Sequence, residues 1–125
     1  MSHDNSQFDQ AILAELDDAL DFLQTVITRE VARKTADHSE AMRKLRLLSA
    51  VDLAGRCRRL WFMQPEITAK EKYRSIASQI RQILSAWGDV PPQFAKFYVP
   101  EDVYDKLYPL YLKARELEGR SESES

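Results

Sequence analysis

Thr68 to Gly88 is the stretch that most restricts what this chain can fold into. Tyr73, Ile76, Ala77, Ile80, Ile83, Leu84 and Trp87 recur at spacings of three and one, which puts them on one stripe of a helix with 3.6 residues per turn. Arg74, Ser78, Gln79, Arg81, Gln82 and Ser85 take the other positions. Thr68 with Glu71 three residues on has the form of a capping box, and Gly88 ends the pattern as a helix stop. Gly55 and Gly119 are the only other glycines in 125 residues, too few for a protein built on tight β-turns. The expected class is all-α: a bundle of three long amphipathic helices plus a shorter, proline-broken C-terminal helical segment.

The first helix is expected from about Gln7 to Lys34. Leu13, Leu16, Leu20, Leu23 and Ile27 follow a 3-4-3-4 spacing, and Ile12, Ala19 and Val26 widen that stripe on one side. After a polar break at Thr35–Ser39, Asp37 with Glu40 reads as a second capping box. Helix two then runs to about Met63, because Pro65 disfavours helix at Gln64. Its apolar residues form two stripes: Met42, Leu45, Leu53 and Leu60 on one side, and Leu47, Ala50, Val51, Ala54 and Trp61 on the other. A helix apolar on two sides belongs in the middle of a bundle, touching two neighbours.

Asp89-Val90-Pro91-Pro92 is a stiff turn. A helical turn is expected around Gln93–Phe97 and a last helix from Glu101 to Glu118. Pro109 should kink or restart that helix, since a helix-interior proline costs about 3 kcal/mol. The organisation is therefore a frayed N-terminus over 1–6, one helical domain over 7–118, and a polar tail over 119–125 (Gly-Arg-Ser-Glu-Ser-Glu-Ser) whose composition predicts disorder.

Charge is sorted along the chain. Residues 1–28 hold six acids and no Lys or Arg, residues 29–63 hold nine bases and four acids, and the remainder is close to balanced. An acidic first helix beside a basic second one suits antiparallel packing. The net charge of −2 gives no general attraction to nucleic acid or to anionic membranes. The longest strictly apolar runs are about four residues, far short of a span. Cys57 is the sole cysteine, so no intramolecular disulfide forms and a reducing compartment is expected. With no positively charged n-region in the first 28 residues, the expected location is cytoplasmic.

Groups able to carry catalysis are few. His3 and His38 are the only histidines, and neither zinc spacing nor paired Glu-x-x-His motifs are present. Phosphate-binding and nucleophile-elbow motifs are missing as well. No catalytic residue, no metal ligand and no cofactor is assigned, and the protein is not expected to be an enzyme. Cys57, flanked by Arg56, Arg58 and Arg59, reads first as a small core residue and second as an activated thiol. Asp52 and Arg56 are one turn apart in the favourable order and read as a surface pair. Trp61 and Trp87 lie at the C-terminal ends of antiparallel helices, hence at opposite poles, and read as two core plugs.

Two features point to a partner. Phe94, Phe97, Tyr98, Tyr104, Tyr108 and Tyr111 are six of the chain's twelve aromatics within eighteen positions, more than one face of a short helix can bury. Tyrosine also suits interfaces, with a large contact area and a polar tip. The basic end of helix two offers Arg56, Arg58, Arg59 and Trp61. The function expected is a non-enzymatic protein-binding module, such as an adaptor, assembly factor or regulatory subunit. Its partner-binding residues would be Arg56, Arg58, Arg59, Trp61, Phe94, Phe97, Tyr98, Tyr104 and Tyr108. The a/d-like stripe of helix one is also compatible with a symmetric homodimer. The alternatives are nucleic-acid binding through helix two, whose bases scatter around the helix instead of forming one stripe, and a small-molecule carrier with an interhelical pocket. No membrane partner is expected.

Overall fold

A computed structural model describes residues 10–64 and 66–123; the expected frayed end at 1–6 lies outside them. The elements in order are α1 (Gln10–Ala32), α2 (His38–Met63), α3 (Ala69–Leu84), a 3-10 helix (Pro92–Phe97) and α4 (Glu101–Ser123). The described residues contain no strand, so the chain is all-α. Each helix packs on the two that flank it in a closed ring, α1 against α2 and α4, and α3 against α2 and α4.

Cross-helix ion pairs fix the directions. Arg58 and Arg43 of α2 meet Asp17 and Glu30 of α1, and Lys113 and Arg29 link α1 to α4 through Glu15 and Asp102. Both sets run in opposite sequence order, so α1 is antiparallel to both neighbours. One pole collects the C-terminal ends of α1 and α3, the N-terminal ends of α2 and α4, and the 3-10 helix. Trp61 and Trp87 consequently lie at opposite poles, Trp61 buried and Trp87 half-buried against the core.

The helix starts are made by their caps. Thr68 Oγ1 accepts from the Glu71 N–H at 3.1 Å, and the Glu71 carboxylate accepts from the Thr68 N–H at 3.0 Å, a complete box. Those bonds to Thr68, backbone first, hold the Glu71 carboxyl below its ordinary value. Asp37 accepts from the Glu40 N–H at 2.9 Å and opens α2. α3 buries Tyr73, Ile76, Ala77, Ile80, Ile83 and Leu84, the stripe its spacing predicts.

Four expectations are corrected. First, the C-terminal segment is neither short nor broken: α4 has 23 residues with Pro109 inside it, as many as α1. Pro109 and Asp105, whose carbonyl loses its helical donor, are both exposed. The freed carbonyl therefore opens toward solvent instead of being stranded in the core. Second, α4 continues through Gly119 to Ser123 where composition predicts a disordered tail. Arg120 reaches back one turn to Glu116 at 2.7 Å and supports this extension. Third, the α1 face is rotated from the leucine stripe. Ile12, Leu16, Ala19, Leu23 and Val26 are buried, while Leu13, Leu20 and Ile27 are half-buried at its edge. Within the chain that stripe packs against α2 and α4.

The fourth correction matters most for function. Leu47, Ala50, Val51, Ala54 and Trp61 of α2 are core, but Met42, Leu45, Leu53 and Leu60 are exposed. In a ring of four helices α2 occupies a corner, and one broad face meets both neighbours. Among the described residues, none covers the other face.

Candidate protein-interaction surfaces

The 3-10 helix builds the first surface. Pro91 precedes it and Pro92 begins it, both with φ pre-set for the turn. Pro92, Ala95 and Val99 are buried and anchor the segment to α3 and α4. This anchoring turns the large residues outward: Phe94, Phe97 and Tyr98 are 50%, 70% and 54% exposed. The Tyr98 ring lies across Gly88, where an added Cβ would come within 2.8 Å of Tyr98 Cγ. Glycine at 88 is thus a packing requirement as well as a stop.

Along α4 the next aromatics form a ladder. Tyr104 and Tyr108 stack with centroids 4.9 Å apart, and Tyr108 and Tyr111 follow at 6.2 Å. All three are half-buried. Partial burial, then the neighbouring Tyr108 and Asp105, push the Tyr104 phenol above its ordinary value, so it stays a neutral donor. Phe94, Phe97, Tyr98, Tyr104 and Tyr108 all lie at or near one pole.

The basic residues expected beside them do not join that surface. Arg58 makes two bonds to Asp17, at 2.9 and 3.1 Å, and tethers α2 to α1. Trp61 is core. Arg56 pairs with Asp52 at 2.9 Å with both side chains largely exposed, the surface pair read from the sequence. Arg59 is exposed. These residues occupy the last turns of α2, about 27–35 Å along the helix from its start at the aromatic pole. Cys57 is half-buried against the core.

The second surface is the outer face of α2. At about 100° per residue, Met42, Leu45, Ser49, Leu53, Arg56, Leu60 and Met63 share one side. Leu45 and Met63 are 56% and 78% exposed. Beside it, Met42, Leu45, Ala50 and Leu53 with Gln82 and Ser85 of α3 line an open groove of about 380 Å³. From the sequence, Met42, Leu45, Leu53 and Leu60 read as a second stripe packed against a neighbouring helix. Apolar spacing is identical for a buried stripe and for an uncovered one.

Sequence reading missed a different set, the buried charges Glu30 and Lys44. Glu30 is 3% exposed and accepts from Arg43 at 2.9 Å. Lys44, also buried, donates to the Arg33 carbonyl at 2.7 Å and to Thr35 Oγ1 at 3.1 Å. The available signal was the break in α1's apolar spacing at Glu30, which lies one turn beyond Val26. Among the described residues no cluster of His, Cys, Asp or Glu is placed to hold a metal ion, and no helix is long and apolar enough to cross a membrane. Comparison with protein-family models, curated proteins and solved structures gives no match.

Proposed function

We propose that this protein is a non-enzymatic protein-binding module, an adaptor, assembly factor or regulatory subunit, and that it docks its partner on the aromatic pole. The observation behind this reading is the outward set of Phe94, Phe97 and Tyr98 on a segment whose other side is anchored. A rigid aromatic cluster presents large contact area at low entropic cost, which is how interface anchors work. Tyr104 and Tyr108 extend the surface along α4 and contribute polar tips. Arg58 and Trp61 leave the proposed site, because their contacts hold the fold together. No separate observation favours nucleic acid: Arg43, Lys44, Arg56 and Arg58 of α2 all have partners within the chain.

The test is capture from the host's own lysate by the tagged chain and by a Phe94→Ser/Phe97→Ser variant, each with and without nuclease. A polypeptide recovered near-stoichiometrically by the wild type, retained after nuclease and lost with the variant, is the expected result. Equal recovery by both chains, or loss on nuclease treatment, refutes the proposed site.

A further inference from the structure

The outer face of α2 is partly palindromic: its two outer apolar pairs repeat in reverse order. Met42 and Met63, Leu45 and Leu60, Ser49 and Arg56, and Asp52 and Leu53 are equidistant from the midpoint between residues 52 and 53. A second α2 laid antiparallel across this face, on a two-fold axis through that midpoint, brings Met42 level with Met63, Leu45 with Leu60 and Ser49 with Arg56, while Asp52 and Leu53 lie on opposite edges near the axis. Methionine meets methionine at both ends, and leucine meets leucine about 11 Å from the axis on either side. We infer that the protein forms a symmetric dimer through the outer face of α2, the occupant being a second copy of this chain. The inference does not use the aromatic pole.

Area and charge both fit. Met42, Leu45, Leu53, Leu60 and Met63 are each 38–78% exposed. Together they leave on the order of 500 Å² of apolar side chain uncovered, close to the apolar share, a little over half, of the ~800 Å² that one partner contributes to a standard interface. Contiguous apolar patches of that size on a monomer mark interaction sites. Across the axis, the Arg56 of one copy falls beside Ser49 and within a turn of Asp52 of the other. Asp52 and Arg56 already pair at 2.9 Å within one chain, so the dimer gathers two acids and two bases around the axis. Only an antiparallel arrangement does this. A parallel one would set like charges side by side. Arg46 and Arg59 are also equidistant from the midpoint, but they leave the stripe on opposite edges and stay apart.

Sedimentation velocity of the full chain over micromolar concentrations is expected to show twice the chain mass. A Leu53→Glu/Leu60→Glu variant should sediment as a monomer that keeps its helical circular-dichroism spectrum, and its melting temperature, unlike that of the wild type, should not rise with protein concentration. In a Cys57→Ala background, Leu53→Cys should cross-link to its own copy on mild oxidation. Leu45→Cys should not, since the two copies of position 45 would be about 22 Å apart along the helix. A wild-type monomer at every concentration overturns the inference, as does a dimer that survives the glutamate variant or equal cross-linking at 45 and 53. A wild-type monomer that instead binds another polypeptide, lost in the glutamate variant, overturns it in favour of a foreign partner on this face.

Discussion

Removing the Arg43 guanidinium should be the most destabilising single change at the surface of this bundle. Glu30 is 3% exposed, and its close partner is Arg43 at 2.9 Å. Arg33 stands 3.7 Å away on a side chain that is 65% exposed, a geometry worth no more than about 1 kcal/mol. Stranding a buried charge by deleting one partner costs about 3–5 kcal/mol. With Arg33 offsetting part of that, Arg43→Met should cost about 3 kcal/mol. The reverse change is milder. Arg43 is 21% exposed, so in Glu30→Leu it turns to water and the loss should be near 1 kcal/mol. The Glu30→Leu/Arg43→Met double variant, with neither charge left to solvate, should return to within about 1 kcal/mol of wild type. Urea unfolding followed by circular dichroism reads this directly. At a slope of about 1.5 kcal/mol per molar, the midpoint of Arg43→Met should fall by about 2 M and that of the double variant by less than about 0.7 M. A midpoint lowered by under about 0.4 M in Arg43→Met, or a double variant no better than that single, would refute the reasoning.

Gly88→Ala would set its Cβ 2.8 Å from Tyr98 Cγ, so the ring must shift, and the change should cost about 1–3 kcal/mol in urea unfolding. Arg58→Met, which breaks two bonds to Asp17 from a side chain only 14% exposed, should lower stability by about 1–2 kcal/mol. Arg56→Met, in a largely exposed pair, should stay within about 0.5 kcal/mol in the monomeric background. Gln79→Met removes a buried amide oxygen that has no hydrogen-bond partner and should raise the melting temperature by a few degrees, about 1 kcal/mol. The bonds to Thr68 hold the Glu71 carboxyl below its ordinary value in the folded chain. Its contribution is therefore complete above the unfolded value and lost as pH falls through the lower folded one. The stability gap between wild type and Glu71→Ala should be flat from about pH 7 to 5 and narrow below about pH 4; a gap that widens on acidification contradicts the cap.

The helices were legible in the sequence because their signals are local. The stripe of α3, its Thr68–Glu71 box and the stop before Pro65 need only the spacing of a few neighbours. What failed was whatever depends on the partner across a gap. The Met42–Leu60 stripe has the period of a core stripe, and only the ring arrangement of the helices leaves it uncovered. Pro109 was read as a break because its cost is tabulated for an average site. Here it falls on an exposed face, where the freed carbonyl opens to water. At the candidate site, the count of aromatics correctly said that some had to remain outside. Which ones, Phe94, Phe97 and Tyr98, depended on the burial of Pro92, Ala95 and Val99 beneath them. Arg58 and Trp61 looked available because a linear chain does not show Asp17 forty-one residues upstream.

The charges along α1 also choose between two mirror-related ways of closing the ring. A four-helix ring with the same chain order can wind clockwise or anticlockwise, and the apolar stripes alone barely distinguish them. On α1, Asp17 faces Arg58 of α2, while Glu15 and Asp18 on the opposite flank face Lys113 and Lys106 of α4. Reversing the winding exchanges α2 and α4 across α1 and turns each of their flanks the other way. Lys106 and Lys113 would then point to α3, Arg58 would leave α1, and the tyrosine ladder of α4 would face α1's acids. Individually modest contacts at the rim thus fit the observed winding and not its mirror, the winding that sets on which side of the molecule the aromatic pole and the open face of α2 are displayed.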